Sequence, residues 1–422
     1  MKESRLEIEL KGPEQKKEKV DWRDLRILWH SVAPYIRSGY GKVTYYNALG
    51  LFNRGFSVIC SAYYGLQTPG IVNFKGLFVL PVQKRSDDPL GFYTVRDHYK
   101  RLNCDVAVWC ADFWVSRKFA ELIENSICYS PVDHDSYPEK WLSVFRSYKW
   151  VAVASKHGVQ VLKKAGIDAT YIPHGVDINI FKPMDKLKCR QHFGIPKDLF
   201  LFGVVAANND DEPRKGWDCL FRAFRLFLEQ NPKAVKDARL FIHTDPTHER
   251  GRNLIELAKQ ENVDKWIIWN DVYTASVLGL PESSMAKVYN CMDVFVLPSR
   301  REGFCLPVLE AQACGIPVIV NGFSALIERV DNGRAGWMVK PATYVYTQLN
   351  GLSSIPSPEG FADAMTEAYQ SPNKRKYYAK RGLQYARRQT WDVAIDKHWL
   401  PFLKKVSEEI PRLSKKKLKR IA

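Results

Sequence analysis

The sequence has no run of about 18 or more apolar residues, so no segment reads as a membrane-spanning helix. The opening stretch, Met1 to Val20, is polar and mixed in charge, which does not fit a signal peptide. Nine cysteines, at 60, 104, 110, 128, 189, 219, 291, 305 and 314, include no C-x-x-C pair. A disulfide framework and a zinc site are therefore unsupported, and the cysteines read as buried free thiols in a reducing cytoplasm. Gly39-Tyr40-Gly41 lacks the third glycine of a dinucleotide fingerprint, and Gly41-Lys42-Val43 is not the Gly-Lys-Ser/Thr of a phosphate loop. Acid is missing from two segments near the C-terminus. Lys374, Arg375, Lys376, Lys380, Arg381, Arg387 and Arg388 stand in one, and Arg412, Lys415, Lys416, Lys417, Lys419 and Arg420 in the other. With an overall net charge of +17, these patches point to a polyanionic partner, either nucleic acid or an anionic membrane surface, or to a solubilising tail.

What is present is core material for two domains: 422 residues, 45% of them apolar, with 12 tryptophans. The most informative stretch runs from Cys291 to Val320. Asp293–Leu297 is a short apolar, β-rich run that predicts a buried strand ended by Pro298-Ser299. Pro307 suits a first helical turn, residues to Cys314 favour helix, Gly315 and Pro317 end it, and Ile316–Val320 predicts a second strand. The unit is a βαβ crossover with Glu302 in its loop and Glu310 inside its helix. Ligands of open α/β sheets bind beyond the carboxyl ends of strands and near helix N-termini. There the N–H groups of Gly303, Phe304 and Cys305 would meet a phosphate or sugar hydroxyl. Glu302 would bind one polyol, and Glu310, about two turns on, another. A ligand with a sugar at each end of a diphosphate fits that spacing.

Pro298-Ser299, Glu302-Gly303-Phe304 and the run Glu310-Ala311-Gln312-Ala313-Cys314-Gly315-Ile316-Pro317-Val318 resemble the retaining glycosyltransferases of family 4. The resemblance extends to Tyr171-Ile172-Pro173-His174-Gly175-Val176-Asp177 with Phe181-Lys182-Pro183, similar to that family's interdomain motif. It implies a GT-B fold: α/β, two Rossmann-like doubly wound domains facing each other across a cleft. The boundaries expected are a lead-in at 1–22, an acceptor-binding domain at 23–185 and a nucleotide-sugar-binding domain at 186–390. A helix at 391–410 would cross back to the first domain, before a basic tail at 411–422.

By the same resemblance Gly39 and Gly41, in the loop after the first strand, face the donor. Lys215, with Arg214 beside it, would clamp the diphosphate, a forked and a compact cation together. Asn208 stands where the family has an arginine, and Asp271, Val272 and Tyr273 fall where the nucleotide base is contacted. Asp133-His134-Asp135 follows a strand. One reading is the Asp-x-Asp metal signature of the other glycosyltransferase architecture. The other, which the resemblance favours, makes Asp133 or His134 line the cleft at the reacting centre.

The function expected is retaining transfer from a nucleotide-sugar co-substrate to an acceptor hydroxyl, with no metal or other cofactor. Glu302, Lys215, Arg214, His134 and Asp133 would be central. Hydroxymethylated DNA is one acceptor reading and a lipid or glycan at an anionic membrane face is another. A non-catalytic nucleic-acid-binding protein on the same scaffold is the reading from a different class. The expected location is cytoplasmic, including peripheral to a membrane or on DNA.

Overall fold

The computed structural model describes residues 21–66, 70–210, 212–271 and 279–410. Most of the lead-in, the basic tail, Val272 and Tyr273 lie outside them. The first sheet contains β1 (Arg26–Val32), β2 (Ser57–Tyr64), β3 (Val72–Phe74), β4 (Leu77–Pro81), β5 (Val106–Trp109), β6 (Ser126–Tyr129), β7 (Trp150–Val153) and β8 (Thr170–Tyr171). Their spatial order is β3-β4-β2-β1-β5-β6-β7-β8, parallel except where β3 pairs with β4. The inner strands β5, β6 and β7 are buried along their whole length because helices cover both faces.

The second sheet is wholly parallel. It contains β9 (Phe200–Val205), β10 (Ala238–His243), β11 (Ile267–Trp269), β12 (Val294–Leu297), β13 (Val318–Asn321) and β14 (Trp337–Val339), in the order β11-β10-β9-β12-β13-β14. A two-stranded antiparallel hairpin, β15 (Thr343–Tyr346) and β16 (Leu352–Ile355), follows it.

Two crossings join the halves side by side. Val176 N–H donates to Gln389 O at 2.9 Å. A side chain on Gly175 would meet Trp391 N at 2.2 Å, so only glycine lets the two segments touch. The last helical stretch then returns to the first domain. Trp391, Ile395, Trp399, Phe402, Leu403 and Val406 are buried in one cluster with Ile27, Trp29 and Leu51, each burial contributing about 2 kcal/mol. Trp399 Nε1–H also donates to Asn47 Oδ1 at 2.9 Å. The sequence predicts one continuous helix here; the structure widens it to a π turn at Ile395–Trp399. Pro401 supplies no N–H to the turn before it, and the ladder opens in that turn. All nine cysteines are free and buried; burial pushes the thiols of Cys60, Cys128 and Cys291 up to about 12.

Candidate active site

In the second sheet, β9 and β12 are neighbours, but the chain leaves β9 toward β10 on its other side. The loops after these strands diverge and leave a crevice at their carboxyl ends. Both sequence motifs sit there. The loop after β9 lies against the loop after β12: Arg300 N–H donates to Arg214 O at 2.7 Å. Gly216 has φ 70°, and a Cβ on it would stand 2.1 Å from Pro298 O. The glycine thus allows the approach that delivers Lys215. Lys215 Nζ is 2.6 Å from Glu302 Oε1, Ser299 Oγ donates to the same oxygen at 2.7 Å, and Arg214 Nη1 is 3.6 Å from Oε2. Arg214 is also paired with Asp210 at 2.7 Å. Burial would raise the Glu302 carboxyl, but Lys215 and Arg214 outweigh it and hold it below the usual carboxylate range.

The Glu302 main chain is pinned as firmly as its side chain. Ser324 Oγ accepts from Glu302 N–H at 2.9 Å and donates to Glu302 O at 3.0 Å. Ser324 sits at φ 49° and ψ −139°, and Cys305 at φ 76°. Left-handed backbone at two non-glycine residues around one carboxylate is strain held in place by its surroundings. Phe304 and Cys305 turn their side chains into the core, where the Arg329 guanidinium lies 3.9 Å from the Phe304 ring centre. A Cβ on Gly303 would meet Pro131 Cβ at 2.5 Å, so the two domains touch beside Glu302.

The first domain presents its own switch point, between β1 and β5. Gly39 and Gly41, placed by the sequence in a loop, form the first turn of the helix Gly39–Asn53, whose Ser38 cap accepts from Gly41 N–H at 3.1 Å. A Cβ on Gly41 would collide with Ile36 O at 2.1 Å, whereas Gly39 faces open space. Tyr40 from this turn donates to Asp112 Oδ1 at 2.5 Å. Burial raises the Asp112 carboxyl to about 6 and Asp133 adds to the shift, while Tyr40 and Arg214 oppose it.

Past β6, Asp133 Oδ1 is 2.7 Å from His134 Nδ1, and its Oδ2 is 3.3 Å from Arg301 Nε. Burial alone would raise this carboxyl; His134, Arg301 and Arg214 hold it far below the usual range. His134 is 1% exposed, with Nε2 2.9 Å from Thr347 Oγ1. Among the described residues no group of three or more His, Cys, Asp or Glu is arranged around a metal site.

Glu310 lies in the helix Leu306–Ala313 and is bonded by Tyr289 Oη at 2.7 Å and by Lys42 of the first domain. Asn208 is placed differently from the other motif residues. Its amide donates to Asp245 O and Arg252 O and accepts from Arg252 N–H, so it holds a neighbouring loop. Asp271 follows the edge strand β11. Sequence reasoning missed Lys42, Arg301 and Tyr289. Each is a partner supplied by another element, and no local pattern marks it.

This architecture, two parallel sheets with facing switch points and crossed connections, is the GT-B fold. Sucrose-phosphate synthase from Thermosynechococcus elongatus superposes with a TM-score of 0.73 over 91% of this chain and 100% of its own, at 15% identity. HepE of Anabaena, in complex with UDP and glucose, gives 0.68 over 90% and 100%, at 16% identity. Residues 201–371 match the family described as glycosyl transferases group 1. The match lies within the second domain. A D-inositol 3-phosphate glycosyltransferase from Thermomonospora curvata is 25% identical over 259 residues, 58% of this chain and 54% of that protein. The chain spans about half the length of the curated relatives it matches.

Proposed function

We propose that the protein transfers a glycosyl unit from a nucleotide sugar to an acceptor hydroxyl with retention of configuration. The observation that carries this reading is Glu302, buried and ionised against Lys215 and Arg214 at the second sheet's switch point, with Asp133 and Asp112 brought in from the first domain. Glu302 and Glu310 take sugar hydroxyls. Arg214 and Lys215 turn from Glu302 toward the diphosphate and stabilise the charge that grows on it as the glycosidic bond breaks. The leaving phosphate oxygen takes the acceptor proton on the same face, so the carboxylate pair of retaining hydrolases is not needed. These two cations are proposed to do the work a divalent metal would otherwise do. HepE binds UDP, which makes UDP-sugars the first donors to try.

For the acceptor we propose a polyanion, hydroxymethylated DNA first. Lys376, Lys380 and Arg381 are exposed on the helix Pro372–Ala386, with Arg387 and Arg388 exposed just past it. A base in a duplex has to be flipped out to react. The test is a screen of UDP-sugars against hydroxymethylated DNA, anionic lipid vesicles and inositol phosphate, with mass detection of the added sugar. A mass gain on DNA supports the acceptor reading, and one on lipid or inositol phosphate replaces it. No release of nucleoside diphosphate from any sugar nucleotide would leave a binding protein on a transferase scaffold.

A further inference from the structure

The hairpin β15–β16 belongs to the second domain, but its tip rests on the first. Leu352 O accepts from Asp135 N–H at 2.9 Å, and Leu349 O accepts from Trp141 Nε1–H at 2.9 Å. A Cβ on Gly351 would stand 2.6 Å from the His134 ring, so the tip closes directly over that imidazole. The polar contacts then run in a circuit. Thr347 Oγ1 is 2.9 Å from His134 Nε2, His134 Nδ1 is 2.7 Å from Asp133, and Asp133 is 3.3 Å from Arg301. Arg301 Nη2 is 2.6 Å from Glu212, and Glu212 Oε1 accepts from Gln348 N–H at 3.1 Å, which returns to the tip.

An ionised Asp133 accepts from His134 Nδ1–H, and Nε2 on the far side of the ring pairs with the Thr347 hydroxyl. Both ring nitrogens are then occupied inside the protein, and the imidazole is shut away. The Asp133 side chain remains 14% exposed against 1% for His134. We propose that the hairpin is a latch that completes the active site, in which Asp133 meets the substrate and Thr347, acting through His134, is the residue that positions it. This inference rests on the glycosyl-transfer reading and names the roles within its site.

The test compares the wild type with Thr347→Val, which keeps the shape and removes the hydroxyl, and with Thr347→Ser, which restores it. Turnover at saturating UDP-sugar, UDP affinity by calorimetry and the imidazole nitrogen resonances of histidine-labelled protein are measured. The His134 signals are assigned by their loss in His134→Gln. Thr347→Val is expected to lower turnover by about ten- to a hundredfold, leave UDP affinity within about twofold and shift His134 Nε2; Thr347→Ser restores both turnover and resonance. Wild-type turnover in Thr347→Val, or an unmoved Nε2 resonance, overturns the proposal. If the wild type neither binds UDP nor consumes a UDP-sugar, the functional reading fails, and the resonance alone then decides the Thr347–His134 arrangement.

Discussion

Lys42, on the first domain's helix Gly39–Asn53, is ion-paired with Glu310 inside the second domain's helix Leu306–Ala313. Glu282 stands 3.0 Å from the same ammonium, and Tyr46, one turn along, donates to Glu282 at 2.5 Å. Burial works against the Lys42 charge, but Glu310 and Glu282 outweigh it and raise its pKa. A raised lysine contributes stability throughout the range below its unfolded pKa. That contribution is lost only as pH climbs through the folded value, well into the alkaline range.

The pair predicts strong coupling between the two positions. Lys42→Met leaves a buried carboxylate without its cation and should cost on the order of 3 kcal/mol. Glu310→Gln should cost a similar amount. The double variant lacks both charges and should lose less than the sum, with a coupling of about 1–3 kcal/mol in denaturant unfolding. Strict additivity would show that the two side chains do not act on each other.

Lys215 leads to a kinetic prediction. If it stabilises the leaving diphosphate, Lys215→Ala should lower kcat by about 100- to 1000-fold. The fall should appear in kcat/KM as well, because the contact strengthens in the transition state. Full turnover with unchanged donor affinity in this variant would remove Lys215 from the mechanism. Glu302→Ala should instead weaken donor-sugar binding, and it strands Lys215 beside a cavity.

How far the sequence led can be seen at Glu302 and Asn208. The strands around Glu302 are buried on both faces, so they read as apolar runs; Pro298 marks the end of the first, and Pro307 and Gly315 mark the start and stop of the helix between them. That local information put Glu302 in a loop at a strand's carboxyl end; the family resemblance, not the local pattern, linked it with Lys215, and the structure joins the two at 2.6 Å. Asn208 also lies on the right loop, yet its amide faces residues 245 and 252, a direction set by a loop more than 35 residues away in sequence. Lys42 and Thr347 reach their partners across the domain boundary, at separations of 268 and 213 residues. Such contacts depend on how two finished domains meet, which neither periodicity nor turn chemistry encodes.

Asp112 predicts a pH-dependent gain in stability. Its carboxyl is raised to about 6, chiefly by burial. A raised carboxylate binds its proton more tightly in the folded state, so folding is most favoured below the unfolded value. Stability declines as pH rises from about 4 to about 6 and is flat above that. Asp112→Asn keeps an acceptor for Tyr40 and removes the charge. It should stabilise the protein by about 1 kcal/mol at pH 8, the half-buried position limiting the gain, and the advantage should vanish near pH 4. Melting curves of both proteins at the two pH values check this; an equal difference at both would assign the effect to packing.

The exposed cations at the end of the second domain make the polyanion reading quantitative. Lys374 and Arg375 are partly engaged inside the protein, the first with Glu367 and the second with the carbonyls of Ala368 and Tyr369. Lys376, Lys380, Arg381, Arg387 and Arg388 are exposed. Each phosphate contact made by one of these releases counterions, so the logarithm of DNA affinity should fall with the logarithm of salt at a slope of about −0.9 per contact. Replacing Lys376, Lys380 and Arg381 by Ala should reduce that slope by up to about 3 and weaken binding alike on any duplex sequence, because phosphates carry no base information. The same triple variant should turn over a UDP-sugar at the wild-type rate when water is the only acceptor, since these residues lie on a helix apart from Glu302 and Lys215. An unchanged salt slope on DNA together with lost binding to anionic vesicles would move the acceptor from nucleic acid to a membrane surface.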